Sequence, residues 1–409
     1  MPSGVSAARF GERLAAAQAA VLEGQRSALL VGVGPELEWL TGYGAHGNER
    51  LNLLVIPAHG PVSYISPRLE RGAAVAAPGI GGGPVEVLTW DETEDPFALV
   101  PPLLAALEGR RLSVSDGLRA DFLIGLQARL PGAEWDVASA TLAPLRRIKD
   151  PEEVELLRAA AAAADRALER VLAGPLVGRR EAEVARDVRD ALVDEGHDTA
   201  AFWIVASGPN TASPHHEPDD RVIDAGEPLL LDIGGRRAGY YSDVTRTVWI
   251  EADDGSPPDP GFVEIYRLTQ AAQAAGRAAS TPGVSFDAID AAARDVISAG
   301  GFGHAFIHRL GHGIGLEVHE EPYVVAGNHE LAVVGNTFSC EPGVYLEGRY
   351  GVRIEDAMLC TEDGAVALNQ APRELGVVRG RLSIGSVPMA RPEAYPAPGC
   401  IIRRPGRVG

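Results

Sequence analysis

Lysine is almost absent from this chain. One of its 409 residues is lysine, Lys149, and arginine supplies the rest of the 37 basic side chains. The imbalance reads as genomic composition bias rather than a functional device. Cysteine is scarce as well: Cys340, Cys360 and Cys400 make an odd count with no C-x-x-C pair. That excludes a disulfide framework and fits a reducing cytoplasm, the expected location. No run approaches the ~18 apolar residues of a membrane-spanning helix. The opening MPSGVSAARFGERLAAAQAA carries charges inside its apolar stretch and has no uninterrupted apolar core, so it does not read as a signal peptide. Positive charge is in deficit, 37 basic against 56 acidic residues, for a net charge of −19. A surface of that sign repels phosphate backbones and anionic lipid, so neither nucleic acid nor a membrane is an expected partner. The signatures G-x-x-x-x-G-K-[ST], H-E-x-x-H and G-x-S-x-G are missing too, and GIGGG (79–83), with no lysine after it, reads as a loop.

What is present is an ordinary globular composition, 45% hydrophobic and 23% charged, which excludes wholesale disorder and fibrous structure. At roughly 150 residues per domain the length suits two or three domains. Residues 7–24 read as an amphipathic helix. Strands are expected at 28–33, 51–57, 61–66 and 112–116, with a helical stretch at 96–108. This alternation implies a small α/β domain over 1–147. At RRIKDPEEVELL, Asp150 is an N-cap, Pro151 suits the first helical position and Glu153 completes a capping box. A long helix to about 172 and a second over 180–195 follow from that start. Then come a hairpin (229–233 with 240–250), two helices after the break SPPDPG (256–261), and a second hairpin (336–346 with 351–360). The order helix, helix, hairpin thus occurs twice, a two-fold repeat of structure within a second domain at 148–378. A proline-rich tail, 379–409, with five prolines from Pro388 onward, reads as extended or disordered chain.

The hairpins carry the chemistry. Asp232 and Asp243 lie 11 apart, and a symmetric turn centred between Arg237 and Ala238 would set them face to face. Like charges opposite one another repel, so a fold keeps both when a cation sits between them or one is exposed. Glu341 and Glu355 are 14 apart about Gly348 and sit among apolar residues. Buried carboxylates need a partner, either a salt bridge to nearby Arg353 or a metal. Between the hairpins, HRLGHGIGLEVHE holds His308, His312 and His319, interrupted by glycines that allow close approach. Asp232, Asp243, His312, Glu341 and Glu355 form a hard, oxygen-rich ligand set whose four negative charges balance two divalent ions. Such a set favours manganese, iron or cobalt over structural zinc, calcium or magnesium.

The strings LLLDIGG…YYSDVTRT, HRLGHGIGLEVHE, SCEPGVY and VRIEDA resemble the prolidase and aminopeptidase P group of metallopeptidases with the pita-bread fold, over about 147–378. WLTGY (39–43) and LNLLVIP resemble that group's creatinase-type N-terminal domain. The resemblance implies an α/β N-terminal domain and an α+β catalytic domain with a pseudo-two-fold internal repeat. It implies two divalent ions, manganese first, with cobalt, iron or zinc as alternatives. Asp232 and Asp243 would hold one ion, Asp243, Glu341 and Glu355 would bridge, and His312 would complete the second. In SGPNTASPHHEP (207–218), taken as a substrate-side strand, His215 matches the group's histidine, with His216 the adjacent alternative. His319 and His308 match two further catalytic histidines.

The implied activity is hydrolysis of Xaa-Pro bonds in a proline-containing peptide by a metal-bridging hydroxide, with Glu341 as proton shuttle. His319 and His215 would stabilise the oxyanion, and Tyr345 and Arg353 would orient ligands. Length and the short Glu341–Glu355 interval resemble the smaller prolidases, and the group implies a homodimer. Two other classes stay compatible with these residues: a metal-dependent hydrolase or lyase acting on a non-peptide substrate, and a non-catalytic binding protein.

Overall fold

A computed structural model describes residues 4–105 and 111–380. Helix α1 (Ala7–Glu23) starts where the Ser6 hydroxyl accepts from the Arg9 N–H, and it buries Phe10, Leu14, Ala17 and Val21 at helical spacing. Strand β1 (Ala28–Val31) is buried along its whole length. It is followed by α2 (Pro35–Thr41), β2 (Leu53–Pro57), β3 (Val62–Pro67), α3 (Arg71–Ala76), α4 (Pro78–Gly81) and β4 (Val85–Trp90). The glycine-rich 79–83 segment is therefore a short helical turn that leads into β4, rather than a plain loop. A 3-10 turn (Pro96–Leu99) and α5 (Val100–Leu104) cover the described part of the helix expected at 96–108. Then come β5 (Arg111–Val114), α6 (Ala120–Arg129), β6 (Glu134–Val137) and α7 (Ser139–Arg146).

These six strands form one mixed sheet in the order β4-β3-β2-β1-β5-β6. Alternate residues of β1 serve different cores. Leu29 and Val31 pack with α1 and α2, while Ala28 and Leu30 pack with α5 and α6. A strand buried on both faces must read as a continuous apolar run, and this one does.

The catalytic half opens with α8 (Pro151–Leu172), started by the expected reciprocal Asp150–Glu153 box, and α9 (Glu181–Asp194). Strands β7 (Thr199–Ser207), β8 (Pro228–Arg237), β9 (Tyr240–Tyr241) and β10 (Val244–Ile250) follow. The pattern then restarts with α10 (Pro260–Ala279) and α11 (Phe286–Ala299). After them come β11 (Gly311–Gly313), β12 (Glu320–Val324), β13 (Thr337–Cys340), β14 (Gly343–Leu346), β15 (Tyr350–Arg353), β16 (Asp356–Thr361) and β17 (Gly364–Ala367). β18 (Val377–Val378) returns to pair with β10. The two sheets run β18-β10-β8-β7 and β12-β11-β13-β16-β17, each backed by its helix pair. This is the creatinase-type plus pita-bread architecture with its two-fold repeat. The tail beyond residue 380, with Cys400, lies outside the described residues. Cys340 and Cys360 are free and buried.

Two sequence expectations need correction. Asp232 faces Thr245, not Asp243. The hairpin closes one residue later than assumed, with Arg237 opposite Tyr240. Ala238 and Gly239 between them both have positive φ, 47° and 94°, as a two-residue primed turn requires. Residues 208–218 are likewise not a strand. β7 ends at Ser207, a 3-10 turn spans Gly208–Ala212, and the segment continues as a loop.

Candidate metal centre and active-site cavity

All five candidate ligands line one cavity of about 1010 Å³, together with His215, His308, His319 and Arg353. Each arrives for a local reason. Asp232 sits in the middle of β8, between Ile204 on β7 and Thr245 on β10. Asp243 precedes β10 where the chain leaves β9, so the two aspartates converge across the corner of the hairpin rather than across its ladder. Glu341 and Glu355 behave as the sequence spacing requires. Cys340 pairs with Asp356 and Gly343 with Arg353, so the register between these ladders sets the glutamates opposite one another about Gly348. His312 is the centre of the three-residue strand β11, flanked by glycines. A side chain at Gly311 would strike the Ser339 carbonyl, and one at Gly313 would strike the Glu321 backbone. Only glycine lets the neighbouring strands come this close.

The centre is acidic and deeply buried. Ligand oxygens of Asp243 and Glu355 and a ring nitrogen of His312 lie within 4.8 Å of one another, and Glu341 Oε1 is 3.3 Å from His312 Nε2. Burial and the neighbouring Asp232 charge push the Asp243 carboxyl far above its ordinary proton affinity. Burial and Asp243 do the same to Glu355. Burial also opposes ionisation of Glu341, but the His312 hydrogen bond and charge outweigh it and draw that carboxyl down to about 2. Two buried oxygens, Asp232 Oδ1 and Glu355 Oε1, accept no hydrogen bond among the described residues. Buried polar atoms are normally paired. Orphaned oxygens among carboxylates that repel one another fit divalent cations.

Around this centre the supporting bonds are specific. Arg353 Nη2 donates to Asp232 Oδ2 at 2.5 Å and Nη1 to the Tyr345 hydroxyl at 2.8 Å. The salt bridge weighed for the glutamates thus belongs to an aspartate. Tyr345 lies behind the cavity wall, with its hydroxyl 2.9 Å from His308 Nε2. Burial pushes the Tyr345 phenol up to about 12. The His319 ring sits 4.0 Å from that of His312; burial, His312 and Arg309 bring its imidazole down to about 4, so it is neutral at pH 7.

The adjacent histidines 215 and 216 part ways. His215 lines the cavity. His216 Nε2 lies 2.6 Å from Glu181 Oε2, and the same buried carboxylate accepts from the Ser207 N–H and hydroxyl and from Asn210. Glu181, His216 and Asp219 also form a cluster of metal-ligand type, but Glu181 is already satisfied by protein donors, unlike the orphaned Asp232 and Glu355 atoms.

Several supporting residues escaped the sequence reading. The Thr245 hydroxyl donates to Glu355 Oε2 at 2.6 Å. The Ser339 hydroxyl accepts the His312 N–H and donates to Glu341. Lys149 is buried, not incidental: its Nζ donates to Glu320 Oε1 at 2.6 Å, while Arg146 holds the other oxygen at 2.8 Å. Single hydroxyls leave no pattern in a sequence, but a lone lysine at a domain boundary was a visible signal.

With this geometry in hand, the relatives are informative. Residues 155–362 match metallopeptidase family M24, and residues 13–148 match the creatinase/prolidase N-terminal domain. The chain belongs to metallopeptidase family M24, and it is a peptide-hydrolysing enzyme of the prolidase group that depends on divalent metal. It is 42% identical to "Probable dipeptidase PepE" of Mycobacterium bovis over 90% of this chain and 96% of that one. The crystal structure of dipeptidase PepE from Mycobacterium ulcerans superposes with a TM-score of 0.85 at 42% identity, covering 91% and 99% of the two chains. A prolidase from Thermococcus sibiricus gives 0.83 at 33% identity, covering 90% and 99%. Among the described residues no helix is long and apolar enough to cross a membrane.

Proposed function

We propose that this metallopeptidase cleaves the Xaa-Pro bond of short peptides with two divalent ions, manganese first, held by Asp232, Asp243, His312, Glu341 and Glu355. The observation that carries the reading is the meeting in one cavity of one imidazole and four carboxylates, three of them buried, with two of the carboxylate oxygens lacking donors among the described residues. Ions bound there supply Lewis acidity, polarising a carbonyl and acidifying water. The chain's own groups do the rest. Glu341, ionised at neutral pH, takes the proton of the attacking water and delivers it to the leaving nitrogen. His319, neutral and close to His312, donates an N–H to the oxygen on which negative charge develops, and His215 donates from the 208–218 loop. The Arg353–Tyr345–His308 chain fixes Asp232 and the His308 ring. A prolyl nitrogen leaves as a secondary amine, and its ring fixes the backbone angle, which the apolar side chains of Phe202 and Ile204 in the cavity lining suit.

The buried free thiols of Cys340 and Cys360 support residence in a reducing compartment. The test is a metal-titrated panel of Ala-Pro, Leu-Pro, a tripeptide with proline second, and Leu-Ala. Cleavage of the Xaa-Pro substrates with manganese or cobalt, at well above the Leu-Ala rate, is the expected result. Equal cleavage of Leu-Ala overturns the proline assignment.

A further inference from the structure

We propose that Arg246 is a positioning residue: it sets Glu355, from one half of the catalytic fold, against Asp232 and Asp243 from the other, so that two divalent ions can be held between them. This deepens the two-ion reading above and rests on it. The candidate ligands come from two separate sheets. Asp232 lies on β8 and Asp243 just before β10, whereas His312 lies on β11, Glu341 just after β13 and Glu355 just before β16. Among the described residues no strand ladder joins the sheet of β8 and β10 to that of β11, β13 and β16. The spacing between the ligands of the two halves therefore depends on individual bonds across the seam.

Arg246 spans that seam from a buried place on β10. Its Nη1 donates to the Thr245 carbonyl at 2.8 Å and to the Glu355 carbonyl at 2.5 Å. Its Nη2 donates to Asp356 Oδ1 and to the Ala371 carbonyl, both at 2.7 Å, and its Nε to the Pro372 carbonyl at 2.7 Å. A guanidinium carries its N–H donors in a fixed planar fork, and every one of them is used here. The neighbouring Thr245 grips the same glutamate from the other end. Its hydroxyl donates to Glu355 Oε2 at 2.6 Å, and its carbonyl accepts the Glu355 N–H at 3.1 Å. Successive residues of a strand point to opposite faces, so β10 holds the carboxylate of Glu355 with one residue and its carbonyl with the next. Thr245 in turn faces Asp232 in the β8–β10 ladder, which ties the two ligands to one frame. The Arg246 charge is matched by Asp356, which also accepts from Gln273 and Arg373. The arginine therefore contributes rigidity to the centre rather than a counter-charge. A glutamate whose carbonyl is released can turn its carboxylate away from the aspartates. Lysine has its three donors on one nitrogen and cannot reach these spread acceptors together.

The experiment titrates manganese into wild type, Arg246→Lys, Asp356→Asn and Arg373→Gln by calorimetry, and records the electron paramagnetic resonance of the bound ions. Ions that share carboxylates give an exchange-coupled spectrum, and isolated ions do not. The wild type should hold two coupled ions. In Arg246→Lys the more weakly held ion should lose about 10- to 100-fold in affinity, and the signal of isolated ions should replace the coupled one at manganese levels that saturate the wild type. Asp356→Asn, which leaves Arg246 a neutral anchor, should lose less in the same direction. Arg373→Gln removes a donor from Asp356 without touching Glu355, and should bind both ions as the wild type does even where its unfolding midpoint falls. Should Arg246→Lys fail to fold, Asp356→Asn decides by the same criteria. Wild-type affinity and coupling in Arg246→Lys overturn the assignment and leave the two-ion reading intact. Equal losses in Arg246→Lys and Arg373→Gln overturn it as well, because a general loosening of the core then accounts for them. A wild type that takes up no second ion overturns both.

Discussion

Glu320 and Glu355 are both buried glutamates in the second half of the catalytic fold, yet they meet opposite fates. Burial raises the proton affinity of each. At Glu320 the Lys149 ammonium and the Arg146 guanidinium outweigh burial and hold the carboxyl below its ordinary value. At Glu355 burial is reinforced by Asp243, Glu341 and Asp232, and the carboxyl is driven far above it. One site contains its own counter-charges and is a structural joint. It ties α7, which carries Arg146, to β12, next to Glu36 of α2. At the other, the nearby Arg353 is paired with Asp232 instead, which supports the proposed role of the site in holding cations brought from solution. A buried acid is therefore informative only together with what neutralises it.

Metal removal separates the two sites most sharply. Chelation should abolish turnover and lower the melting temperature, and manganese should restore both. Saturating metal at about 100 times its dissociation constant adds about 2.7 kcal/mol of stability. Thermal melts with and without chelator check this, and an unchanged melting temperature would place the counter-charge of Glu355 inside the protein after all. Next in size is Glu341→Gln, which keeps the shape of the side chain but cannot take up the water proton. Turnover should fall by about 10²- to 10⁴-fold, read from kcat at saturating manganese together with the bound-metal count. A variant with full metal and wild-type kcat would remove Glu341 from proton transfer.

The joint responds differently. Lys149→Met leaves Glu320 with Arg146 alone, and should cost about 3 kcal/mol in denaturant unfolding with the metal content unchanged. Lys149→Arg is a poor rescue, because the lysine stem packs 2.9 Å from where a side chain at Gly315 would begin. The pH dependence follows in sign. The Glu320 carboxyl is lowered in the fold, so its stabilising contribution is present above the unfolded value of about 4.5 and is lost as pH falls through the folded value. The stability gap between wild type and Lys149→Met should narrow below about pH 4.5. A gap that widens in acid would refute the ion-pair account.

The same contrast explains what could be read without coordinates. The capping box at Asp150 and the register of Glu341 against Glu355 were legible because short-range rules govern both: side-chain caps, and a turn centred on a glycine with φ of 72°. The acids that meet in the cavity were legible because acids inside apolar strands are conspicuous. The Asp232–Asp243 pairing failed by one step in turn position, since Arg-Ala-Gly-Tyr can close about either of two centres and only long-range packing chooses. Lys149 was passed over because composition bias explained its rarity, whereas its contacts reach 171 residues along the chain to Glu320. Glu181 carries no local pattern at all; its meaning lies in which neighbours it has.

The smallest effect concerns Glu181, a third buried acid and an intermediate case. Among the described residues no lysine or arginine forms an ion pair with it, but it is satisfied by a backbone N–H, a hydroxyl, an amide and the His216 ring. All of those donors lie between Ser207 and His216, so the carboxylate works as a pin through the loop that carries His215. In Glu181→Gln the amide can accept with one end only, and its other end meets donors. The loop should loosen, and kcat should fall about tenfold with bound metal unchanged. His216→Gln, which can still donate to Glu181, should lose less than Glu181→Gln, whereas His215→Gln should lose more than either. Measured in that order, the three variants distinguish a pin from a participant. Equal losses at His215 and His216 would mean that both histidines act on the substrate and that the loop is held by other means.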